Sequence, residues 1–243
     1  MSGAQTHRIQ LQPAYVLHHR PYRDTSRIVE LFTRDHGRLT VFARGVRGSK
    51  SGWAAALQSF QPLLVSWSGR GEAGQLTGAE LTGEPRNLDA SRLMSGFYLN
   101  ELLLKLLHQH DPHPGIYSLY EETIAALKSS ADQLVVLRLF EKRLLNALGF
   151  GLSLDTEAVS GAVIRQEQCY RYGLETGAMS VDAEADPGKG VYHGEVLLAL
   201  ARDDLSNPAH CHAVRYLLRA ALDRVLEGRT LQSRVIMSDM KKY

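Results

Sequence analysis

Long hydrophobic runs are missing from this sequence. No apolar stretch approaches the ~18 residues that a bilayer span needs. The segment from Met1 to Pro13 lacks the apolar core of a secretory signal, so no export is expected. Cysteine is almost absent: Cys169 and Cys211 are the only two in 243 residues. That excludes a disulfide framework and suits a reducing cytoplasm. The motifs of common catalytic sites are lacking too. No G-x-x-x-x-G-K-[ST] loop occurs, since Gly188-Lys189 has neither the upstream glycine nor the following hydroxyl. There is no G-x-S-x-G elbow and no H-E-x-x-H pair. His108, His110 and His113 fall near a helix end, as do His210, Cys211 and His212, and positions two apart on a helix diverge. Cys169 has no C-x-x-C partner with which to anchor zinc. The adjacent Glu121 and Glu122 face different ways and make no acid–base pair. No catalytic or metal site is assigned to these residues, and no cofactor is expected.

What is present is an ordinary soluble composition with an uneven charge. Hydrophobic residues are 44% and charged residues 22%, enough for one large domain or two small ones. The net charge is only +2, yet the first 50 residues hold nine cations (Arg8, Arg20, Arg23, Arg27, Arg34, Arg38, Arg44, Arg47 and Lys50) against Asp24, Glu30 and Asp35. The remainder is slightly acidic. Clustered arginine favours a polyanionic partner, because each cation set against a phosphate displaces a condensed counterion. The plainer alternative is charge placed on strand edges to discourage aggregation.

Residues 1–84 read as strands. Gln10–Gln12 leads through Pro13 into Ala14–His18; Arg27–Thr33 and Arg38–Ala43 flank the turn Asp35-His36-Gly37; Leu63–Trp67 follows, and a fifth strand runs across Gln75–Leu81 with Gly78 as a bulge. Five short strands joined by tight turns suit an OB-fold barrel. Beyond Glu84-Pro85 the period changes to helical. Asp89 can cap a helix that stops near Asp111-Pro112, and Ile116–Lys128 and Leu134–Leu148 follow, the last ending at Gly149. Residues 155–192 form a glycine-rich, turn-rich insert with at most a hairpin. Ser206-Asn207-Pro208 opens a helix that runs to Gly228, and a short one covers Leu231–Met237. The predicted class is α+β: an OB-fold domain at 1–84, then a helical domain at 85–243 interrupted at about 155–192.

The ordered residues carry a resemblance. Tyr15-Val16-Leu17-x-x-Arg20-Pro21-Tyr22-x-x-Thr25-Ser26 leads to Leu31-Phe32-Thr33-x-x-x-Gly37, then to Phe42-Ala43-Arg44-Gly45-Val46-Arg47-x-x-Lys50-Ser51 and Gly69-Arg70-Gly71-Glu72. Further on come Tyr98-x-x-Glu101-Leu102-Leu103, Asp111-Pro112-x-Pro114, Leu137-Arg138-x-Phe140-Glu141-x-x-Leu144-Leu145-x-x-Leu148-Gly149-Phe150-Gly151 and Leu231-x-Ser233-Arg234. The set resembles the bacterial RecO recombination mediators, collinearly over nearly the whole chain. Many members carry four zinc-binding cysteines in the insert. Only Cys169 stands there in this chain, so the zinc knob is degenerate and the insert is expected to hold together through Phe150, Tyr170, Tyr172 and Tyr192.

The resemblance implies a cytoplasmic DNA repair and recombination protein that joins the nucleoid during repair. It implies non-specific binding of single- and double-stranded DNA, annealing of complementary strands, and work with RecR and SSB in loading RecA at gaps. On an OB barrel, a basic groove follows phosphates and aromatic faces stack on bases. Arg20, Arg23, Arg27, Arg38, Arg44, Arg47, Lys50 and Arg70 are the expected DNA contacts. Tyr22 and Trp53 are the stacking candidates, and Tyr15, Phe60 and Trp67 are assigned to the core. The SSB tail, acidic with a free terminal carboxylate, is expected to meet Arg138, helped by Arg143; the alternative pairs Arg138 with Glu141 or Asp132. Competing functions are an RNA-binding OB module, a partner-binding scaffold, and an enzyme built on Cys169 with His193 beside it.

Overall fold

A computed structural model describes residues 7–46, 53–69, 73–83, 87–129, 131–181 and 190–240. Arg47, Lys50 and Arg70 lie outside the described residues. The chain divides into two compact units, Met1–Ser130 with Leu231–Tyr243, and Ala131–Thr230.

The first unit is built on a closed barrel of β1 (His7–Tyr22), β2 (Ser26–Thr33), β3 (Gly37–Ala43), β4 (Leu63–Gly69) and β5 (Ala73–Leu81), in the order β1-β2-β3-β5-β4. Every contact between neighbours is antiparallel except the short β3–β5 pairing, which closes the sheet and removes its edges. Alternation decides which residues go inside: Val29, Leu31, Leu39, Val41, Leu63, Val65 and Leu76 fill the barrel. A four-residue helix, α1 (Trp53–Ala56), brings Ala56 and Leu57 into the same core, with Trp53 packed against it. This α+β architecture of an OB-type barrel followed by helices is the predicted one.

The first strand, β1, runs through Pro13 as expected and extends beyond the predicted Gln10–His18 at both ends. It is long enough to pair with both β2 and β4, and it bends at two irregularities. At the first, Leu11 has φ of 50° and its N–H donates to Ser66 Oγ at 3.0 Å. At the second, between Val16 and His18, the carbonyl of Leu17 accepts from Asn100 Nδ2 at 2.8 Å. Asn100 is buried and its Oδ1 accepts from the Tyr120 hydroxyl at 2.6 Å, so the bulge leaves no polar atom stranded. The irregularity in β5 falls at Thr77, beside the predicted Gly78.

The longer helices of this unit are α2 (Ala90–Leu106), α3 (Pro114–Lys128) and α7 (Gln232–Met240). Tyr117 and Tyr120 of α3 lie 5.6 and 5.1 Å from the Tyr15 ring and cover one end of the barrel's outer face. Gly37, with φ of +67°, lets the backbone of Asp111 approach so closely that a Cβ would meet its carbonyl oxygen at 2.2 Å. The first amides of α7 are capped by another helix: Glu101 of α2 accepts from the N–H groups of Gln232 and Ser233 at 2.8 and 2.9 Å, and from the Ser233 hydroxyl at 2.6 Å.

The second unit holds α4 (Gln133–Ala147), α5 (Gly194–Ala201), α6 (Pro208–Val225) and a small sheet of β6 (Cys169–Gly173), β7 (Gly177–Val181) and β8 (Val191–His193), ordered β7-β6-β8. Asp132 caps α4 and Asn207 caps α6, each through its side-chain oxygen. Gly149 follows α4 at φ +85°, the expected stop. The insert has more structure than a hairpin. β8 adds a third strand and leads directly into α5. Its packing uses Tyr170 and Tyr192, which are buried, and Tyr172, which is half-buried; Phe150 is exposed and takes no part in that core. Glu157 pins the sheet from outside, accepting from Ser160 Oγ and from the N–H and Oγ of Ser180, and these bonds hold its carboxyl down at about 2.

Candidate nucleic-acid interface

Strand register sorts the arginines of the barrel. The pairs Arg20↔Ile28, Tyr22↔Ser26 and Ile28↔Phe42 put Arg20, Tyr22, Ile28 and Phe42 on the outer face of β1–β2–β3. Tyr22, Ile28 and Phe42 are half-buried, and the Tyr22 and Phe42 rings lie 5.4 Å apart. The β1–β2 turn places Arg23 at φ of 52°, with its guanidinium 5.2 Å from the Tyr22 ring centre in a cation–π contact. Arg44 follows Ala43, which pairs with Arg27. The turn and the end of β3 therefore bring Arg20, Arg23, Arg27 and Arg44 to one end of the barrel, accompanied there by one acid, Asp24, among the described residues.

Arg20, Arg23 and Arg44 are exposed, and none of the four forms an ion pair among the described residues. Arg27 differs from the other three. It pairs with Pro21 and Ala43 on the barrel's inner face, is half-buried, and its buried Nη1 has no hydrogen-bond acceptor among the described residues. His19 shares this inner face, opposite Val29. Burial first, then the charge of Arg27, then His18, hold its imidazole below the ordinary histidine value.

Arg38 sits apart from the four. Its Nη1 bonds Glu30 at 3.2 Å and its Nε the carbonyl of Leu107 at 3.2 Å, and Glu30 also accepts from Thr40 Oγ1 at 2.6 Å. It ties β3 to the end of α2. Of the aromatic candidates, Tyr15, Phe60 and Trp67 are core, as expected. Tyr22 has a ring partner in Phe42 that sequence alone did not single out. The alternation of β3 carried the signal: Phe42 stands two residues beyond Thr40 on the polar face.

In the second unit, Arg138 is mostly buried and its Nη1 lies 2.9 Å from Oε2 of Glu141, a carboxylate that is 1% exposed. Arg143 bonds Asp203 at 2.9 Å through Nη2, and Lys142 reaches Asp203 and the last carbonyls of α5. The Cys169 thiol and His193 Nδ1 are 3.4 Å apart, as neighbouring strands pair them directly. The sulfur belongs to a buried residue, where a thiol packs rather than reacts. Among the described residues no three metal-binding side chains converge.

Comparison with known proteins gives a consistent match. The family model described as recombination protein O, N terminal, matches residues 8–84, and that described as recombination protein O, C terminal, matches residues 87–234. The chain is 46% identical over 237 residues to the DNA repair protein RecO of Alkalilimnicola ehrlichii, covering 97% of this chain and 93% of that protein. It is 44% identical over 227 residues to the RecO of Methylococcus capsulatus (93% and 92% covered) and 38% identical over 233 residues to that of Coxiella burnetii (96% and 99%).

Proposed function

The chain belongs to the RecO family of DNA repair proteins, and from that premise we propose that it is a non-enzymatic recombination mediator. It binds single- and double-stranded DNA without reading sequence, anneals complementary strands, and helps load RecA at gaps together with RecR and SSB. It works in the cytoplasm and joins the nucleoid during repair. The observation that supports this best is the group of four arginines without carboxylate partners among the described residues, beside the Tyr22–Phe42 face. Phosphates neutralise the former, and bases stack on the latter. Neutralising two strands at once lowers their repulsion enough for base pairing to take over, with no covalent step. Arg20, Arg23, Arg27 and Arg44 lead the contacts. Arg47, Lys50 and Arg70 extend them, and Arg38 contributes through whatever its two internal bonds leave accessible.

Strand annealing tests the reading. Arg20→Glu with Arg44→Glu is expected to slow annealing of naked complementary strands and to weaken binding of unrelated sequences alike. Unchanged annealing refutes it. Equal or tighter binding of RNA at matched length and salt favours the RNA-binding alternative.

For the SSB tail we keep Arg138, assisted by Arg143, as the proposed carboxylate contact. Charge-assisted bonds to a terminal carboxylate suit a guanidinium already oriented by Glu141. Arg138→Gln combined with Glu141→Gln avoids a stranded buried charge. It is expected to weaken tail-peptide binding while leaving DNA affinity intact, and retained peptide affinity removes the assignment.

A further inference from the structure

Arg27 is placed as if for an anion that the described residues do not supply. Arg34 is engaged by Asp35, and Arg38 by Glu30 and the Leu107 carbonyl. Arg27 is drawn partly out of water on the barrel's inner face, its buried Nη1 without an acceptor among the described residues. Desolvating a guanidinium without a partner is costly, and such a group calls for a compensating charge. Its diagonal neighbour across the β1–β2 pair is His19, two residues before Pro21, which stands opposite Arg27. Two cationic or potentially cationic groups thus share the rim where Arg20, Arg23 and Arg44 also gather.

We propose that Arg27 and His19 form a seat for one backbone phosphate at this end of the barrel, and that His19 takes up a proton when the phosphate binds. This rests on the DNA-binding reading above and adds to it a residue, His19, and a linkage.

The surroundings favour the uptake. On its own strand His19 has His18 and Arg20 as neighbours, and from β2 it faces Arg27. The nearest acid in register, Glu30, lies opposite His18 on the other face and is held by Arg38 and Thr40. From α2, which packs on β1, Arg92 is turned to the carbonyls of Leu127 and Ser129, and Glu101 to the start of α7. Beyond Ala43 on β3, Arg44 adds a further positive charge. Asp24, exposed in the β1–β2 turn, is the one acid at this end among the described residues, so the unliganded imidazole has more cations than acids around it. The single negative charge of a backbone phosphodiester offsets the repulsion, and its oxygen accepts a hydrogen bond from the imidazolium, so binding and protonation reinforce each other.

The test is the affinity of a rhodamine-labelled oligothymidylate, whose bases do not titrate in the range used, measured by anisotropy at constant ionic strength between about pH 5.5 and 8, where an imidazole titrates. Affinity is expected to rise as pH falls, by up to about tenfold per pH unit for one linked proton. His19→Gln is expected to flatten that dependence, while His36→Gln, at the opposite end of β3, keeps it. An NMR titration of the wild type, which needs no variant, is expected to show the His19 ring titrating at higher pH with oligonucleotide bound than without. A His19→Gln protein with the wild-type pH dependence, or a His19 ring that titrates alike in both states, overturns the seat. Salt-dependent binding that survives without proton linkage leaves the DNA-binding reading standing, whereas failure to bind at any pH removes both.

Discussion

Salt dependence gives the sharpest number for the interface. Four arginines, Arg20, Arg23, Arg27 and Arg44, stand together at one end of the barrel, none in an ion pair among the described residues. If each meets one phosphate, the logarithm of the affinity falls against the logarithm of salt with a slope of about −2.8 on a single strand and about −3.6 on a duplex. Between ~50 and ~200 mM salt, single-strand binding then weakens about 50-fold. Arg20→Gln with Arg44→Gln removes two contacts on exposed side chains whose loss leaves no cavity. The slope should fall to about −1.4 and the loss over the same salt range to about 7-fold. Engagement of Arg47, Lys50 and Arg70 steepens the wild-type slope toward about −5 without changing the difference the double variant makes. The assay is anisotropy of a labelled oligonucleotide at several salt concentrations, repeated on a second, unrelated sequence. A wild-type slope near zero, or a double variant that keeps the wild-type slope, would falsify the placement of the contacts.

Other changes read the framework. Arg38→Ala removes bonds to Glu30 and to the Leu107 carbonyl and should lower stability by about 2 kcal/mol in denaturant melts, with a smaller effect on the salt slope than Arg44→Gln. Arg138→Ala leaves the buried Glu141 without its guanidinium and should cost about 3 kcal/mol, most of it recovered in Arg138→Met with Glu141→Leu; equal melting of wild type and single variant refutes the pairing. Burial pushes the Glu101 carboxyl up, but the bonds from Ser233 and Gln232 and the charge of Lys105 outweigh it and hold it below the usual carboxylate value. A depressed native value stabilises above the unfolded one, about 4.3, and the gain is lost as pH falls through the native value, so α7 should loosen first under acid, seen as faster amide exchange over 232–240. Glu101→Gln should bring that loosening to neutral pH.

Much of the architecture was legible because it follows from local periods. Period-two alternation in Arg38–Ala43 names that strand and its buried face, the β-branched and aromatic residues of Arg27–Thr33 name its partner, and Asn207-Pro208 and Gly149 mark helix ends through backbone chemistry that needs no tertiary partner. The insert was harder to read. Val191–His193 is too short to declare itself a strand until β6 lies beside it, and α5 follows it with no stop between. Pro13 reads as lying inside the first strand, whose full length was not legible. The structure runs through it because β1 changes partners along its length and Ser66 and Asn100 collect the polar groups that the bends release.

The same division holds for the interface. Composition and order alone determined that the cations crowd into the first fifty residues and that a barrel carries them. Which arginines are available was decided by tertiary contacts. Arg38 and Arg27 look alike in sequence, each at the start of a strand, but register turns one toward Glu30 and Leu107 and the other onto an inner rim where its Nη1 meets no acceptor among the described residues. Sequence counts charges, whereas only folding brings partners from distant positions within the few ångströms over which a hydrogen bond or ion pair can hold a guanidinium.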